Sequence, residues 1–126
     1  MIKISVCDDD EGQLTFFREC FANYNEKYDE KIEAKFYQSV QSLLNEQFFS
    51  PDAYFLDIEL QDGNGLKLAG QIRTKNSKIP IVFITSHEEF MPEAFQVHAY
   101  HYLNEKKNAQ AVENVLNQLA DYFSEQ

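Results

Sequence analysis

Apolar residues along this chain follow two spacings, one typical of strands and one typical of helices. Short apolar runs recur at intervals, and between them apolar side chains return at steps of three and four, as on one face of an amphipathic helix. The runs predict five strands, at residues 2–7, 32–36, 53–56, 79–84 and 100–103. The helical spacings begin near Leu14, Val40, Leu66 and Val112. We therefore expect five successive βα units that account for almost the whole chain.

The strands themselves have two patterns. The second alternates apolar and charged residues, which is typical of a strand with one solvated face near the edge of a sheet. The third and fourth are continuously apolar, as expected for central strands that are covered on both faces. Strict alternation of strand and helix predicts an α/β fold, a doubly wound three-layer sandwich whose parallel sheet has right-handed crossovers. In such sheets ligands bind beyond the carboxyl ends of the strands.

Composition narrows the class of protein. A chain of 126 residues with 44% hydrophobic content fits one domain, residues 1–126, with a sizeable core. A formal net charge of -10 disfavours direct binding to nucleic acid or anionic lipid. Cys7 and Cys20 have no disulfide-framework spacing, and no apolar run approaches the roughly 18 residues of a membrane span. The N-terminus lacks a signal-peptide pattern, so we expect a cytoplasmic location without membrane contact.

Polar side chains follow the predicted strands at the edge where ligands are expected. Asp8 and Asp9 follow strand one, Asp57 ends strand three, and Thr85 ends strand four. Crowded carboxylates repel one another unless a cation lies among them, and an all-oxygen set suits Mg²⁺. We expect Asp8 and Asp9 to hold the metal and Asp57 to share it. A carboxylate so placed can attack phosphorus to give an acyl phosphate, and the Thr85 hydroxyl could then bond a phosphoryl oxygen.

Each of these residues also has a purely structural interpretation. Acidic residues after a strand often only begin a helix, because they favour its first turn. Asp57 could cap a turn, and Thr85 could be structural. His87, His98 and His101 show no ligand spacing and are interpreted as surface or satisfied histidines. Several phenylalanines are assigned to the core: Phe16, Phe17, Phe48, Phe49 and Phe55.

Four motifs in fixed order resemble the receiver domain of two-component response regulators, over essentially the full length. Val-Cys-Asp-Asp-Asp at 6–10 is similar to the acidic pocket, and Leu-Asp-Ile-Glu-Leu at 56–60 to the phospho-acceptor segment. Gly-Asn-Gly-Leu at 63–66 resembles the glycine turn, and Phe-Ile-Thr-Ser at 83–86 the switch strand. Residues 93–103 resemble the subgroup that precedes LytTR-type (LytR/AgrA) DNA-binding domains. The resemblance implies a CheY-like, flavodoxin-like sheet with strand order 2-1-3-4-5.

The resemblance also implies a function and its residues. A sensor histidine kinase or a small phosphodonor would phosphorylate Asp57, with Mg²⁺ bound by Asp9, Asp57, the Glu59 backbone carbonyl and, through water, Asp8. Thr85 would move towards the phosphoryl group, and the aromatic Tyr102 would turn inward. This would reshape the face formed by the fourth helix, fifth strand and fifth helix, which would contact an output domain outside this chain or form a homodimer. The domain would catalyse only its own phosphoryl transfer and dephosphorylation.

The chain departs from the family pattern at several positions near this site, among them Ser86, where the family commonly has alanine. The family expects lysine and proline after strand five, whereas this chain has Glu105 at the lysine position, followed by Lys106. An anion thus stands where a cation is expected. For two charges roughly 4 Å apart in an effective dielectric near 20, this changes the electrostatic energy of the interaction with Asp57 by several kcal/mol. Lys106 is a possible substitute cation. Gln61 occupies the usual proline position after the acceptor strand.

Two other hypotheses remain open at this point. In the first, the fold is kept but Glu105 abolishes the switch, leaving a pseudo-receiver that binds partners independently of phosphate. In the second, Asp8 and Asp10 are the paired aspartates of a haloacid-dehalogenase-like phosphatase. That class normally needs a longer chain and leaves Asp57 unexplained.

Overall fold

The computed structural model describes residues 1–104 and 107–125 and shows five βα units in succession. The strands of the main sheet are β1 Ile2–Cys7, β2 Ile32–Tyr37, β3 Ala53–Asp57, β4 Ile81–Ile84 and β5 His101–Leu103. The helices are α1 Glu11–Lys27, α2 Val40–Leu44, α3 Gly65–Lys75, α4 Met91–Gln96 and α5 Ala109–Ser124. A short hairpin, Glu59–Leu60 paired with Gly63–Asn64, lies between β3 and α3. One 3₁₀ turn, Glu88–Phe90, precedes α4.

All neighbouring strands of the main sheet are parallel, in the order β2-β1-β3-β4-β5. This confirms the predicted doubly wound fold and the order 2-1-3-4-5. The alternating strand β2 is at one edge, and the continuously apolar β3 and β4 lie inside, as their sequence patterns predict.

Alternate side chains of the central strands fill two separate cores. Val6 and Phe55 pack with residues of α1 and α5 on one face, whereas Leu56 and Phe83 pack with residues of α2, α3 and α4 on the other. We call α1 and α5 together the α1–α5 layer, and α2, α3 and α4 together the α2–α4 layer. Because both faces are covered, chemistry is confined to the ends of the strands.

Three details differ from the sequence prediction. The core assignment of Phe48 is wrong, because this side chain is 93% exposed in the loop after α2. Strand β4 begins at Ile81, two residues later than predicted, since the Ile79 N–H is taken by the Asn76 side chain and Pro80 has no N–H to donate. The hairpin after β3 was expected only as a turn.

Among the described residues, no helix combines the length and apolarity needed to cross a membrane.

Candidate functional site: a carboxylate pocket at the end of the sheet

Three aspartates meet at the carboxyl ends of neighbouring strands. Asp8 and Asp9 directly follow β1, and Asp57 is the last residue of β3, which is paired with β1. One carboxylate oxygen from each lies within 4.8 Å of those of the other two. Asp8 and Asp57 are only 1% and 4% exposed, and Asp9 is half-buried. An all-oxygen set of partly buried carboxylates is the donor chemistry that suits Mg²⁺, so these residues fit that ion.

Backbone N–H groups hold two of these carboxylates in place. The Asp10 N–H donates to Asp8 Oδ1 at 2.9 Å. The Gln61 N–H donates to Asp9 Oδ2 at 3.0 Å, and this bond joins the start of α1 to the hairpin after β3. Asp10 itself turns away from the pocket, since its Oδ1 accepts the Gly12 N–H at 2.8 Å and caps α1.

The hairpin is fixed at its far side to α2. Asp62 Oδ1 and Oδ2 accept the N–H groups of Val40 and Gln41 at 2.9 and 3.1 Å. These two bonds lower the pKa of the Asp62 carboxyl. Such bonds satisfy N–H groups that would otherwise lack a partner at the start of a helix. The segment Gln61–Asp62 therefore connects a candidate metal ligand to a helix.

The turn after the hairpin requires glycine at position 65. A Cβ at this position would lie 2.1 Å from the Asp57 carbonyl oxygen, a distance that no side chain can occupy. The Gly65 N–H donates to the Ile58 carbonyl at 2.8 Å, and Asn64 caps α3 through the Leu66 N–H at 2.7 Å. Glycine thus lets the start of α3 approach the backbone of the candidate acceptor directly.

Thr85 and Tyr102 are joined through the backbone of His87. Thr85 follows Ile84, the partner of Asp57 in the sheet, and is 1% exposed. Its Oγ1 accepts the His87 N–H at 3.1 Å, and the Tyr102 hydroxyl donates to the His87 carbonyl. Burial raises the pKa of the half-buried Tyr102 hydroxyl. His87 was not expected to matter, because a backbone link leaves no signature in the residue type.

The remaining predicted site residues lie around this pocket or outside the described part of the chain. Glu59 is two residues after Asp57, and its exposed carboxylate lies 3.5 Å from His87 Nε2. Metal ligation by its backbone carbonyl stays a prediction. Glu105 and Lys106 are outside the described residues. The next lysine, Lys107, places its Nζ 3.5 Å from where a Gly12 Cβ would be, beside the start of α1.

Cys7 lies against this pocket but is not a nucleophile. Its Sγ donates to the Ser39 carbonyl at 3.4 Å, and the residue is fully buried. Burial, followed by the nearby carboxylates of Asp62 and Asp8, raises the pKa of the thiol to about 12. A thiol that stays protonated is a poor nucleophile.

The face next to Tyr102 carries an apolar groove of about 260 Å³ between α4 and β5. Its lining includes Met91, Phe95 and Tyr100, and Phe95 is 70% exposed. The groove therefore lies directly beside the Thr85–His87–Tyr102 link.

Known structures share this architecture. The response regulatory domain of the protein mrkE from Klebsiella pneumoniae is 25% identical and aligns with a TM-score of 0.84 over 99% of this chain and 100% of its own. A receiver domain of DrrB, described as activated by BeF3, aligns with a TM-score of 0.79 at 21% identity, covering 96% of this chain and 98% of its own. The second likeness supports the fold alone.

Sequence relatives agree with this fold. An uncharacterised response regulatory protein of Yersinia pestis is 30% identical over 95% of this chain and 49% of its own length. The sensory transduction protein LytR of Staphylococcus epidermidis is 32% identical over 77% of this chain and 38% of its own. The chain thus spans half or less of these relatives. The family model of the response regulator receiver domain matches residues 4–117. This chain belongs to the response regulator receiver domain family.

Proposed function

We propose that this receiver domain accepts a phosphoryl group on Asp57 in the presence of Mg²⁺. The observation that carries the proposal is the cluster of Asp8, Asp9 and Asp57 at one end of the sheet, in which Asp8 and Asp57 are buried. A carboxylate oxygen of Asp57 attacks the phosphorus of a sensor kinase phosphohistidine or a small phosphodonor. The bond from phosphorus to the leaving group breaks, its electron pair leaves with that group, and an acyl phosphate forms on Asp57.

The metal would be held by Asp8, Asp9 and Asp57, with the Glu59 carbonyl as the further ligand that the resemblance implies. When bound, Mg²⁺ neutralises charge on the phosphoryl oxygens. The protein's own contribution is to hold these carboxylates in fixed positions by the ends of β1 and β3. The phosphatase hypothesis is disfavoured because it needs Asp10, and this carboxylate caps α1.

The Thr85–His87–Tyr102 link supports a route from Asp57 to the surface. A bond from the Thr85 hydroxyl to a charged phosphoryl oxygen contributes roughly 1.5–3 kcal/mol, against about 1 kcal/mol for a neutral bond such as the one from the His87 N–H. A phosphoryl group can therefore draw Thr85 away from its present position and, through His87, release the Tyr102 hydroxyl. This would alter the face formed by α4, β5 and α5.

That face would act on an output domain or on a second copy of the domain. The resemblance of residues 93–103 and the similarity to LytR proteins support a LytTR-type DNA-binding output in the cytoplasm. The net charge of -10 supports an indirect role, in which the receiver itself does not contact DNA.

A phosphodonor assay tests the proposal. Wild-type protein incubated with a small phosphodonor and Mg²⁺ should gain one phosphoryl group by intact-mass analysis. Asp57→Asn should gain none, whereas Asp121→Asn, which changes an exposed carboxylate on α5, should behave as wild type. A folded wild-type protein that stays unmodified would instead favour the pseudo-receiver hypothesis, and Glu105→Lys would then be the informative rescue.

A further inference from the structure

The bond from the Gln61 N–H to Asp9 exists only because residue 61 is not proline. The donor is the main chain, at 3.0 Å from Asp9 Oδ2. Proline has no N–H, so the residue that the family pattern expects here could not make this contact. The side chain of Gln61 is exposed, and its identity matters for the bond only in that it leaves the N–H in place.

A carboxylate has two oxygens, and engaging one of them fixes the direction of the other. With Oδ2 bound to the Gln61 N–H, rotation of the Asp9 carboxylate is restricted, and one of its oxygens lies within 4.8 Å of carboxylate oxygens of Asp8 and Asp57. Groups that hydrogen-bond a metal ligand orient it and commonly change metal affinity about 10- to 100-fold when they are removed.

The Gln61 N–H is itself held in place by the residue that follows it. Asp62 accepts two N–H groups of α2, at 2.9 and 3.1 Å, so the hairpin cannot shift without breaking these bonds. The hairpin is also held at its other end, where Gly65 lies against the backbone of Asp57. A donor anchored on both sides can position a half-buried carboxylate that has its own rotational freedom.

We infer that the main-chain N–H of Gln61, anchored by Asp62 on α2, is a positioning group that preorganises Asp9 for Mg²⁺ in this chain. The inference rests on the proposed magnesium site. It adds a dependence of metal affinity on two residues that do not contact the metal. It also means that α2 and the metal site are mechanically connected through the hairpin.

Magnesium titration by calorimetry, without any phosphodonor, tests the inference. Gln61→Pro removes the donor and should weaken Mg²⁺ binding about 10-fold or more, whereas Gln61→Ala keeps the N–H and should bind as wild type. Asp62→Ala loosens the anchor and should weaken binding by a smaller factor. Asp52→Ala is its matched control, since Asp52 also accepts a backbone N–H, that of Lys3 at 2.9 Å, but does so at the opposite end of β1.

Hydrogen exchange in the metal-free protein gives a second readout that does not depend on Gln61→Pro folding. The Gln61 amide should be protected in wild type and lose protection in Asp9→Ala, while amides in the core of β1 keep theirs. Equal Mg²⁺ affinity in wild type and in folded Gln61→Pro, or an unchanged Gln61 amide in Asp9→Ala, would overturn the inference and leave the proposed function intact. Absence of Mg²⁺ binding by the wild type would overturn both.

Discussion

The two helical layers on either side of the sheet are built differently. In the α1–α5 layer the helices have 17 and 16 residues, and they are joined by a bond from the Tyr24 hydroxyl to Asn117 Oδ1 at 3.0 Å and by an ion pair between Lys27 and Glu113. In the α2–α4 layer the helices have 5, 11 and 6 residues. Three large apolar side chains are strongly exposed in this second layer and its loops: Leu44, Phe48 and Phe95.

This difference predicts that the two layers differ in how easily they open locally. Long helices that bury an aromatic cluster resist local opening, because many contacts must break together. Helices α2 and α4 each bury a single residue, Leu43 and Ala94, so individual hydrogen bonds contribute a larger share of what holds them, and such bonds can be exchanged at little cost. The candidate switch residue Tyr102 packs against the second layer and lines the groove beside α4, and Thr85 is linked to it through His87. We therefore expect the α1–α5 layer to act as a scaffold, called the scaffold layer below, and the α2–α4 layer to move more readily against it.

The largest expected effect is on the aromatic cluster of the scaffold layer. Phe17 is buried, and its ring makes an edge contact with that of Phe55 at 5.7 Å between centroids. Phe17→Ala should lower the free energy of unfolding by about 3–5 kcal/mol, because it removes buried area and leaves a cavity. Phe95→Ala, at an exposed site on α4, should change it by less than about 0.5 kcal/mol. Urea denaturation measures the loss of unfolding free energy in both variants. Similar losses would contradict the difference between the two layers.

A second, intermediate effect distinguishes two glycines of α3. Gly65→Ala places a Cβ against the Asp57 backbone and should destabilise the protein by about 1–3 kcal/mol, as overpacking does. Gly70→Ala meets nothing within 4 Å and should stabilise the helix by about 0.5–1 kcal/mol. Thermal unfolding measures both. Equal shifts of the two variants would mean that the second layer is not fastened at the candidate acceptor.

The smallest expected effect concerns Arg73, which holds the segment after α4 by hydrogen bonds to backbone carbonyls. Its guanidinium donates to the carbonyls of Val97, His98 and Ile79 at 2.9, 3.0 and 2.6 Å. Arg73→Lys cannot reproduce this fork and should cost about 1 kcal/mol, mainly by local opening. Native-state hydrogen exchange should show faster exchange at the Tyr100 amide, which donates to the Ile81 carbonyl.

The control for this variant lies in the scaffold layer. Arg18 stacks over the Phe36 ring at 4.5 Å and pairs with Glu11 at the surface. Arg18→Lys should leave exchange at the Tyr100 amide unchanged. Faster exchange there in both variants would contradict a local role for Arg73.

Sequence alone determined the fold and most of the pocket. Continuously apolar runs identify β3 and β4 as central strands, and the alternation in β2 identifies an edge, because burial on one or two faces leaves its period in the residue order. Asp8, Asp9 and Asp57 were expected to meet because parallel strands bring their carboxyl ends to one edge, and the structure places them together.

Tertiary structure alone decided the connections among these residues. The bond from Gln61 to Asp9 and the link through His87 use main-chain groups, which every non-proline residue carries and which therefore give no signal in the sequence. The exposure of Phe48 depends on where a loop runs over the surface, and a hydrophobic residue type does not determine that. Local pattern thus specifies which side chains reach the pocket, whereas long-range backbone geometry specifies what holds them there.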